Sequence, residues 1–594
     1  MVFGKHINKY YLKYGWALLL GLVTLVVVDY FQLEVPELYR MVINGINEGQ
    51  VLKDGVYYDF NMDFLLDQIC APLFVVIAVM VVGRFAWRMF FFGSATRMER
   101  GLRATMFAHA KTLSQQYYQV NKVGDLMSLF TNDIDTIHEC FGWGILMLSD
   151  AVFLGGLAVY KMASMNWLLL VFTLIPMAFM LAISLIIGKY MTIKWDARQA
   201  AFSALSDFSQ ESFSGIAVIK AFVKEFKELW AFKKLNKQNE DANVAYTKIS
   251  MLLHIFVTLF IESVICVVLG YGGYLVYVDV FNAGQLVEYI GYFNAMIWPV
   301  MAISELIGMH SMGKASMKRI NKLLDAKPDV KDRDDVTDID NIEGSIEFKN
   351  LTFAYPDADY NALTDVSFKI NAGESVGIIG KTGAGKTTIV DLILRVYNVP
   401  DGTLFVDGHD VNSIPIKRVR QFCSYVPQDN FLFSDTIENN IAFSLDDADT
   451  EGVKQSAIYA GVDGDIVEFP HQYQTVLGER GVTVSGGQKQ RISIARALVK
   501  DAPILILDDS VSAVDTNTER TILSNLEALR GGKTTILIAH RVSTIQSMDK
   551  IIFVDDGKVL DVGSHDELCS RCEEYRKAVE LQRLEDERKE DNNA

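Results

Sequence analysis

Six long apolar stretches in the first half of the chain restrict its fold more than any other feature. Residues Tyr14–Leu33, Ile69–Phe92, Gly144–Tyr160, Trp167–Ile187, Ser250–Val278 and Gln285–Met309 are each predominantly apolar. Each reaches or approaches the roughly 20 residues that carry a helix across a bilayer core. The third is the least sharply bounded, because Asp150 interrupts it. An all-α, six-helix membrane domain in contact with the lipid bilayer is the expectation. The first stretch is no cleavable leader, since it is long and no small-residue cleavage site separates it from further membrane segments. Before it, Lys5, Lys9 and Lys13 alternate with Phe3, Ile7, Tyr10 and Tyr11, which suggests a short interfacial helix.

Charges between the stretches orient this bundle. The first intervening loop is acidic (Glu34, Glu37, Glu48, Asp54, Asp59, Asp63, Asp67), with only Arg40 and Lys53 opposing. The segments after stretches two, four and six are basic, with Arg97, Arg100 and Arg103, then Lys189, Lys194 and Arg198, then Lys314, Lys318 and Arg319. The positive-inside rule therefore places both termini in the cytosol of a multi-pass protein of the cytoplasmic membrane. Residues Ser94–Ile137 and Lys189–Lys248 keep a helical period, so the helices are expected to continue into the cytosol. Short turning helices are expected around Gly124–Met127 and Gln210–Phe213.

Residue 325 ends the membrane domain in this reading. A charged linker with Pro328 covers 326–344, a second domain covers 345–575, and an acidic, solvated helix or tail covers 576–594. The second domain alternates short strands with helices, an α/β signature. A net charge of −17 argues against a nucleic-acid partner. The six cysteines form no secreted disulfide framework.

Gly380-Lys381-Thr382-Gly383-Ala384-Gly385-Lys386-Thr387, running into Thr388, fits the phosphate-loop pattern at every specified position. It follows a strand (Ser375–Ile379) and opens a helix (Thr388–Val396), the context the pattern requires. Its glycines let backbone N–H groups close on a phosphate at a helix N-terminus. Lys386 would bridge the β- and γ-phosphates of ATP and Thr387 would ligate Mg²⁺. Downstream, Ile504–Leu507 is a buried-strand run closing in Asp508 and Asp509. The first acid would hold Mg²⁺ and the second polarise the attacking water.

Four further positions lie in a telling order. Tyr355 precedes the phosphate loop, where an aromatic ring would stack on adenine. Gln428 would reach Mg²⁺ and the water. Ser485-Gly486-Gly487-Gln488 opens an amphipathic helix, and His540 follows the strand Thr534–Ala539, in reach of a γ-phosphate. Taken singly, each is more readily a core ring, a loop or a hydrogen-bonding group. Together they resemble the ATPase of the ABC transporter family and, with six preceding spans, the type IV ABC exporters. The resemblance covers essentially the whole chain. Gly478-Glu479-Arg480-Gly481 looks like the exporter segment that touches coupling helices, and Ser512-Ala513-Val514-Asp515 like the D-loop. It implies a dimer with two ATP sandwiches, each pairing one chain's phosphate loop with the other's Ser485–Gln488 segment. It also implies alternating access driven by ATP, as in multidrug half-transporters.

Two positions depart from the family. Val484 stands for leucine, a conservative change. Asp509 stands for glutamate, which retracts the carboxylate by ~1.5 Å. A ~1 Å misplacement costs on the order of 10²-fold in rate, or about 2.7 kcal/mol of barrier. Binding should survive, because Lys386, Thr387 and Asp508 are intact. The pattern resembles the degenerate chain of heterodimeric bacterial exporters, whose partner supplies the glutamate and takes a working signature from this chain. The alternatives are a homodimeric exporter of lipid or peptide, and an ATP-binding regulatory subunit with little ATPase of its own.

Substrate is less legible. Asp29, Asp150, Glu262 and Glu305 lie in or near the spans, where a carboxylate normally faces a cavity or a partner. With Trp298, Phe256, Phe260, Tyr292, Phe293, Met251, Met296 and Met301 they suggest a pliable pocket for small hydrophobic, cationic compounds. Interhelical hydrogen bonding and plain packing are the competing readings. His565, Cys569 and Cys572 have ligand-like spacing, but a second cysteine pair is missing, so zinc is not expected.

Overall fold

The computed structural model describes residues 4–593 apart from Asp54, Asp357, Ala448, Glu479, Arg480, Val482 and Ala513. The chain forms two compact units, Met1–Lys111 with Lys122–Ala326, and Thr112–Asn121 with Lys327–Ala594. A short helix, α1 (Asn8–Lys13), leads into α2 (Gly15–Glu48). Then come α3 (Met62–Ala110), α4 (Gln115–Val120), α5 (Val123–Met165), α6 (Trp167–Ser214), α7 (Ile216–Ala221), α8 (Glu225–Tyr277) and α9 (Ala283–Leu324).

The six long helices run 34 to 53 residues. At ~1.5 Å per residue that is ~50 to ~80 Å, well past a ~30 Å hydrocarbon core. Only 11% of the most apolar window of α3 and of α8 is buried. A helix apolar all round yet largely uncovered is stable only where lipid replaces water. Within this unit α6 packs along α8, α5 along α9 and α2 along α3. At one end α2, α5 and α9 are tied by ion pairs, Lys161–Glu34 at 3.3 Å and Arg40–Glu288 at 3.3 Å. The acidic loop after α2 folds into a hairpin of β1 (Gln50–Lys53) and β2 (Val56–Asp59).

Both turning helices sit elsewhere than the sequence suggests. Gly124–Met127 lies in the first turns of α5, because Lys122 is the extended residue that separates α5 from α4. The turn itself is made by α4, and its residues group with the second unit. Gln210–Phe213 belongs to α6, which continues until Gly215 ends it. The turn there is α7.

In the second unit a six-stranded sheet has the order β12-β11-β5-β10-β9-β8. Its strands are β5 (Ser375–Gly380), β8 (Cys423–Val426), β9 (Ile504–Asp508), β10 (Thr534–Ile538), β11 (Lys550–Asp555) and β12 (Lys558–Gly563). β8, β9, β10, β5 and β11 run parallel, and every residue of β9 and β10 is buried. Such strands, covered on both faces, read as continuous apolar runs. An antiparallel sheet of β3 (Ile346–Phe353), β4 (Leu363–Ile370), β6 (Leu404–Val406) and β7 (His409–Asp410) completes the domain. The helices used below are α10 (Lys386–Ile393), α11 (Gly486–Val499), α12 (Thr516–Leu529), α13 (Val542–Ile545), α14 (His565–Arg571) and α15 (Glu573–Asn593).

The acidic C-terminal segment is helical, as α15. It starts at Glu573, and Tyr575 is fully buried while Val579 packs against the domain core. Those two residues are four apart and share a helix face.

Candidate functional site

Register explains why residues far apart in sequence meet. Ile378 of β5 lies beside Ile538 of β10, and Ile538 beside Asp508 of β9. Val426 of β8 lies beside Leu507. The four strands therefore end level, and the loops after them leave one edge of the sheet. That edge, at the carboxyl ends of parallel strands, is where an open α/β sheet takes its ligands.

The phosphate loop leaves β5 and enters α10, which begins at Lys386 rather than Thr388. Gly383 and Gly385 have φ of +84° and +96°, a region that disfavours side chains. A Cβ on Gly380 would stand 2.0 Å from the Val554 carbonyl oxygen. The Lys386 ammonium donates to the carbonyls of Gly380 at 2.8 Å and Lys381 at 2.9 Å. Burial holds it below the usual lysine range, opposed by the charges of Asp509 and Asp508. Tyr355 and Thr388 share a hydrogen bond between their hydroxyls at 2.9 Å, and the Tyr355 ring stands edge-on to Phe353 and Tyr397.

Asp508 is 1% exposed, and its Oδ2 has no hydrogen-bond partner. Burial raises its carboxyl above the usual range; a hydrogen bond from Thr387 lowers it, and Asp509 raises it further. A buried oxygen without a donor, beside a threonine hydroxyl, fits a hard divalent cation such as Mg²⁺. Asp508 and Thr387 would hold it, with Gln428 near. Its chemistry there would be to neutralise charge on the phosphate oxygens.

Asp509 sits in the left-handed region, with φ of +46°. Its backbone is tied on three sides: its N–H donates to the Ile538 carbonyl at 3.0 Å, and its own carbonyl accepts from Gln490 Nε2 at 3.1 Å and Ser512 Oγ at 3.0 Å. Its carboxylate accepts from Gln428 Nε2 at 3.4 Å and stands 3.8 Å from His540 Nε2. Gln428, Asp509 and His540 thus converge. Sequence reasoning missed Gln490, whose signal was only its place two residues beyond the Ser485–Gln488 segment.

Ser485 caps α11. Its Oγ accepts from the Gln488 N–H at 3.2 Å and Gln488 Oε1 accepts from the Ser485 N–H at 3.0 Å. The Gln488 amide also donates to Asp465. That amide is engaged within the chain, so Ser485, Gly486 and Gly487 are the groups left to meet a ligand at this N-terminus. Asp515 caps α12, accepting from the N–H groups of Asn517 and Thr518. Glu479, Arg480 and Ala513 lie outside the described residues.

Among the membrane helices only part of the suggested pocket gathers. Asp150 on α5 accepts from Trp298 Nε1 on α9 at 2.7 Å. Asp29 on α2 is 3% exposed and in electrostatic reach of Asp150 and of Arg84 on α3. Asp29 Oδ2 and Asp150 Oδ1 have no hydrogen-bond partner. Glu262 and Glu305 are exposed. Tyr292, Phe293 and Met296 are at most 4% exposed and pack in the helix core, and Phe293 and Phe260 line a small apolar cavity there. The described residues hold no His/Cys/Asp/Glu metal cluster, and His565 Nδ1 bonds the Tyr575 hydroxyl at 2.9 Å.

Comparisons with known proteins agree over the whole length. A family model described as ABC transporter matches residues 363–512, and one described as ABC transporter transmembrane region matches 18–300. The chain is 36% identical over 583 residues to the probable multidrug resistance ABC transporter ATP-binding/permease protein YheI of Bacillus subtilis (strain 168), covering 98% of this chain and 97% of that one. It is 32% identical over 579 residues to the multidrug resistance-like ATP-binding protein MdlA of Escherichia coli (strain K12), covering 97% and 96%. Among solved structures, a bacterial Atm1-family ABC exporter with ATP bound superposes with a TM-score of 0.76 at 26% identity, covering 97% of this chain and 98% of that one.

Proposed function

This chain belongs to the ABC transporter family, as a multi-pass exporter with fused membrane and ATP-hydrolysing domains, and on that premise we propose that it is the slow-site half of a heterodimeric multidrug exporter. The observation that carries the reading is Asp509. It stands at the convergence of Gln428 and His540, 3.4 Å and 3.8 Å away, in a site otherwise complete. Its backbone is fixed from three sides, so the shorter side chain cannot be offset by a shift of the turn. ATP is held here by Tyr355, the 380–388 loop and Mg²⁺ on Thr387 and Asp508, and turns over slowly. Ser485, Gly486 and Gly487 complete the partner's site.

A second subunit is also favoured by the α7 tip. Phe213, Val218, Phe222, Val223, Phe226 and Trp230 are each more than 60% exposed around it. That much uncovered apolar surface beside basic, non-membrane sequence marks a protein interface. With both termini in the cytosol, the orientation that the loop charges support, this tip reaches the partner's ATPase domain.

The cargo is a small hydrophobic cation. Asp150, Trp298 and Asp29 supply a carboxylate with a free oxygen, an aromatic edge and a second buried acid, and an intramembrane acid normally faces a cavity or partner. The multidrug names of the relatives support the same class. Purifying the tagged chain from its native membrane tests the assembly. A stoichiometric second ABC chain carrying glutamate at the Asp509 position is expected; recovery of this chain only with itself would reject the heterodimer. In inverted vesicles containing the complex, Asp150→Asn and Trp298→Phe should cut ATP-driven uptake of a cationic dye several-fold. Unchanged uptake would remove both residues from the pathway.

A further inference from the structure

After β10 the chain turns through Ala539, His540 and Arg541 into α13, which has no side-chain cap from its own N-terminal residue. The Val542 N–H is one of the orphan donors at that helix start. It is taken by a residue 40 positions later: Val542 N–H donates to Gln582 Oε1 at 2.7 Å. The other end of the same amide, Gln582 Nε2, donates to the His540 carbonyl at 2.7 Å. An amide offers one acceptor and one donor group, and here both are used on the two sides of a single turn.

Gln582 is itself held firmly. It lies on α15, on the face that also carries Tyr575 and Val579, spaced four and three residues apart. Tyr575 is buried, its ring edge-on to Phe553 at 5.6 Å and its hydroxyl bonded to His565. The anchor reaches back through α14 into the sheet, so the amide presents a fixed template to the turn.

We propose that Gln582 is a positioning residue for His540. By clamping the backbone on both sides of the turn it sets where the imidazole stands relative to the terminal phosphate of ATP. The inference rests on the reading of His540 as a γ-phosphate contact. ADP lacks that phosphate, so the clamp acts on ATP binding and leaves ADP binding unchanged. It also gives the C-terminal helix a role in the nucleotide site, which its acidic, solvated composition conceals.

The test uses the full-length transporter as assembled in its membrane, with a photoreactive azido-adenine analogue of ATP. Cross-linking to this chain reports its own site, since the base lies beside Tyr355. Competition by unlabelled MgATP and MgADP then gives the ATP-over-ADP preference. Gln582→Glu keeps the length and the acceptor for Val542 but sets an oxygen against the His540 carbonyl; Gln582→Met keeps the shape and removes both bonds. Each should lower the preference about 10-fold with ADP competition unchanged, the scale of one hydrogen bond to a charged group. His540→Ala should lose the same amount, and His540→Ala with Gln582→Glu no more than either alone, because the two act through one contact. A wild-type preference in both Gln582 variants, or equal weakening of ATP and ADP, would overturn the clamp. An unchanged preference in His540→Ala would overturn the reading of His540 on which it stands.

Discussion

Asp508 carries a buried oxygen that would suit a cofactor ion. Its Oδ2 has no donor, and burial disfavours its charge until a cation arrives. Replacing it with asparagine removes the charge while keeping the shape. Asp508→Asn should weaken MgATP binding about 10-fold, as loss of a charge-assisted contact does. ATP binding in EDTA should stay unchanged, and titration with and without the metal compares the two. The spacing of the phosphate loop, Asp508, Asp509 and His540 made this site legible, because each residue type follows its own strand. Asp150 with Trp298 was not legible as a pair. They lie on helices 148 residues apart in sequence, and nothing in the spacing says which faces of α5 and α9 meet. For the same reason Glu262 and Glu305 looked equivalent to Asp29 in the sequence, although only Asp29 is buried.

At the scale of elements, helix ends do double work. Ser485 caps α11 and belongs to the segment that the proposed function offers to a partner's ATP, and Asp515 caps α12 from within the segment that resembles the D-loop. Asp515→Ala should lower the melting temperature of the ATPase domain by roughly 2–4 °C, while Asp515→Asn, an equally good cap, should not. Hydrogen bonds from Thr518 and Asn517 hold the Asp515 carboxyl below its ordinary 3.8. The native state therefore binds this proton less readily than the unfolded chain. The contribution is present above pH ~4 and is lost as pH falls through the lowered value. The gap between the melting temperatures of wild type and Asp515→Ala should narrow in strong acid. Helical period announced the long helices well past the apolar stretches, yet misplaced both turns. A 3.6-residue pattern runs unbroken through Gln210–Phe213, and the stop comes from Gly215, a residue the apolar pattern does not register.

For the whole molecule, the six apolar helices and the α/β domain were written plainly in the sequence, one as runs too long for a core helix, the other as short buried runs between turns. What sequence alone did not convey is how closely the ATP site is tied to distant segments. Gln490 on α11 and Gln582 on α15 bond the backbone carbonyls of Asp509 and His540, at the loop edge of the parallel sheet. The backbone of Asp509 is held in the same way, bonded on three sides. Asp509→Glu adds the one methylene by which this position departs from the family, so the most direct measurement is Mg²⁺-dependent ATP turnover by this chain purified alone, as wild type and as Asp509→Glu. The account predicts near-background turnover for the wild type with ATP still bound, and a gain on the order of 10²-fold in the variant. Robust turnover by the wild-type chain alone, not increased by Asp509→Glu, would contradict it.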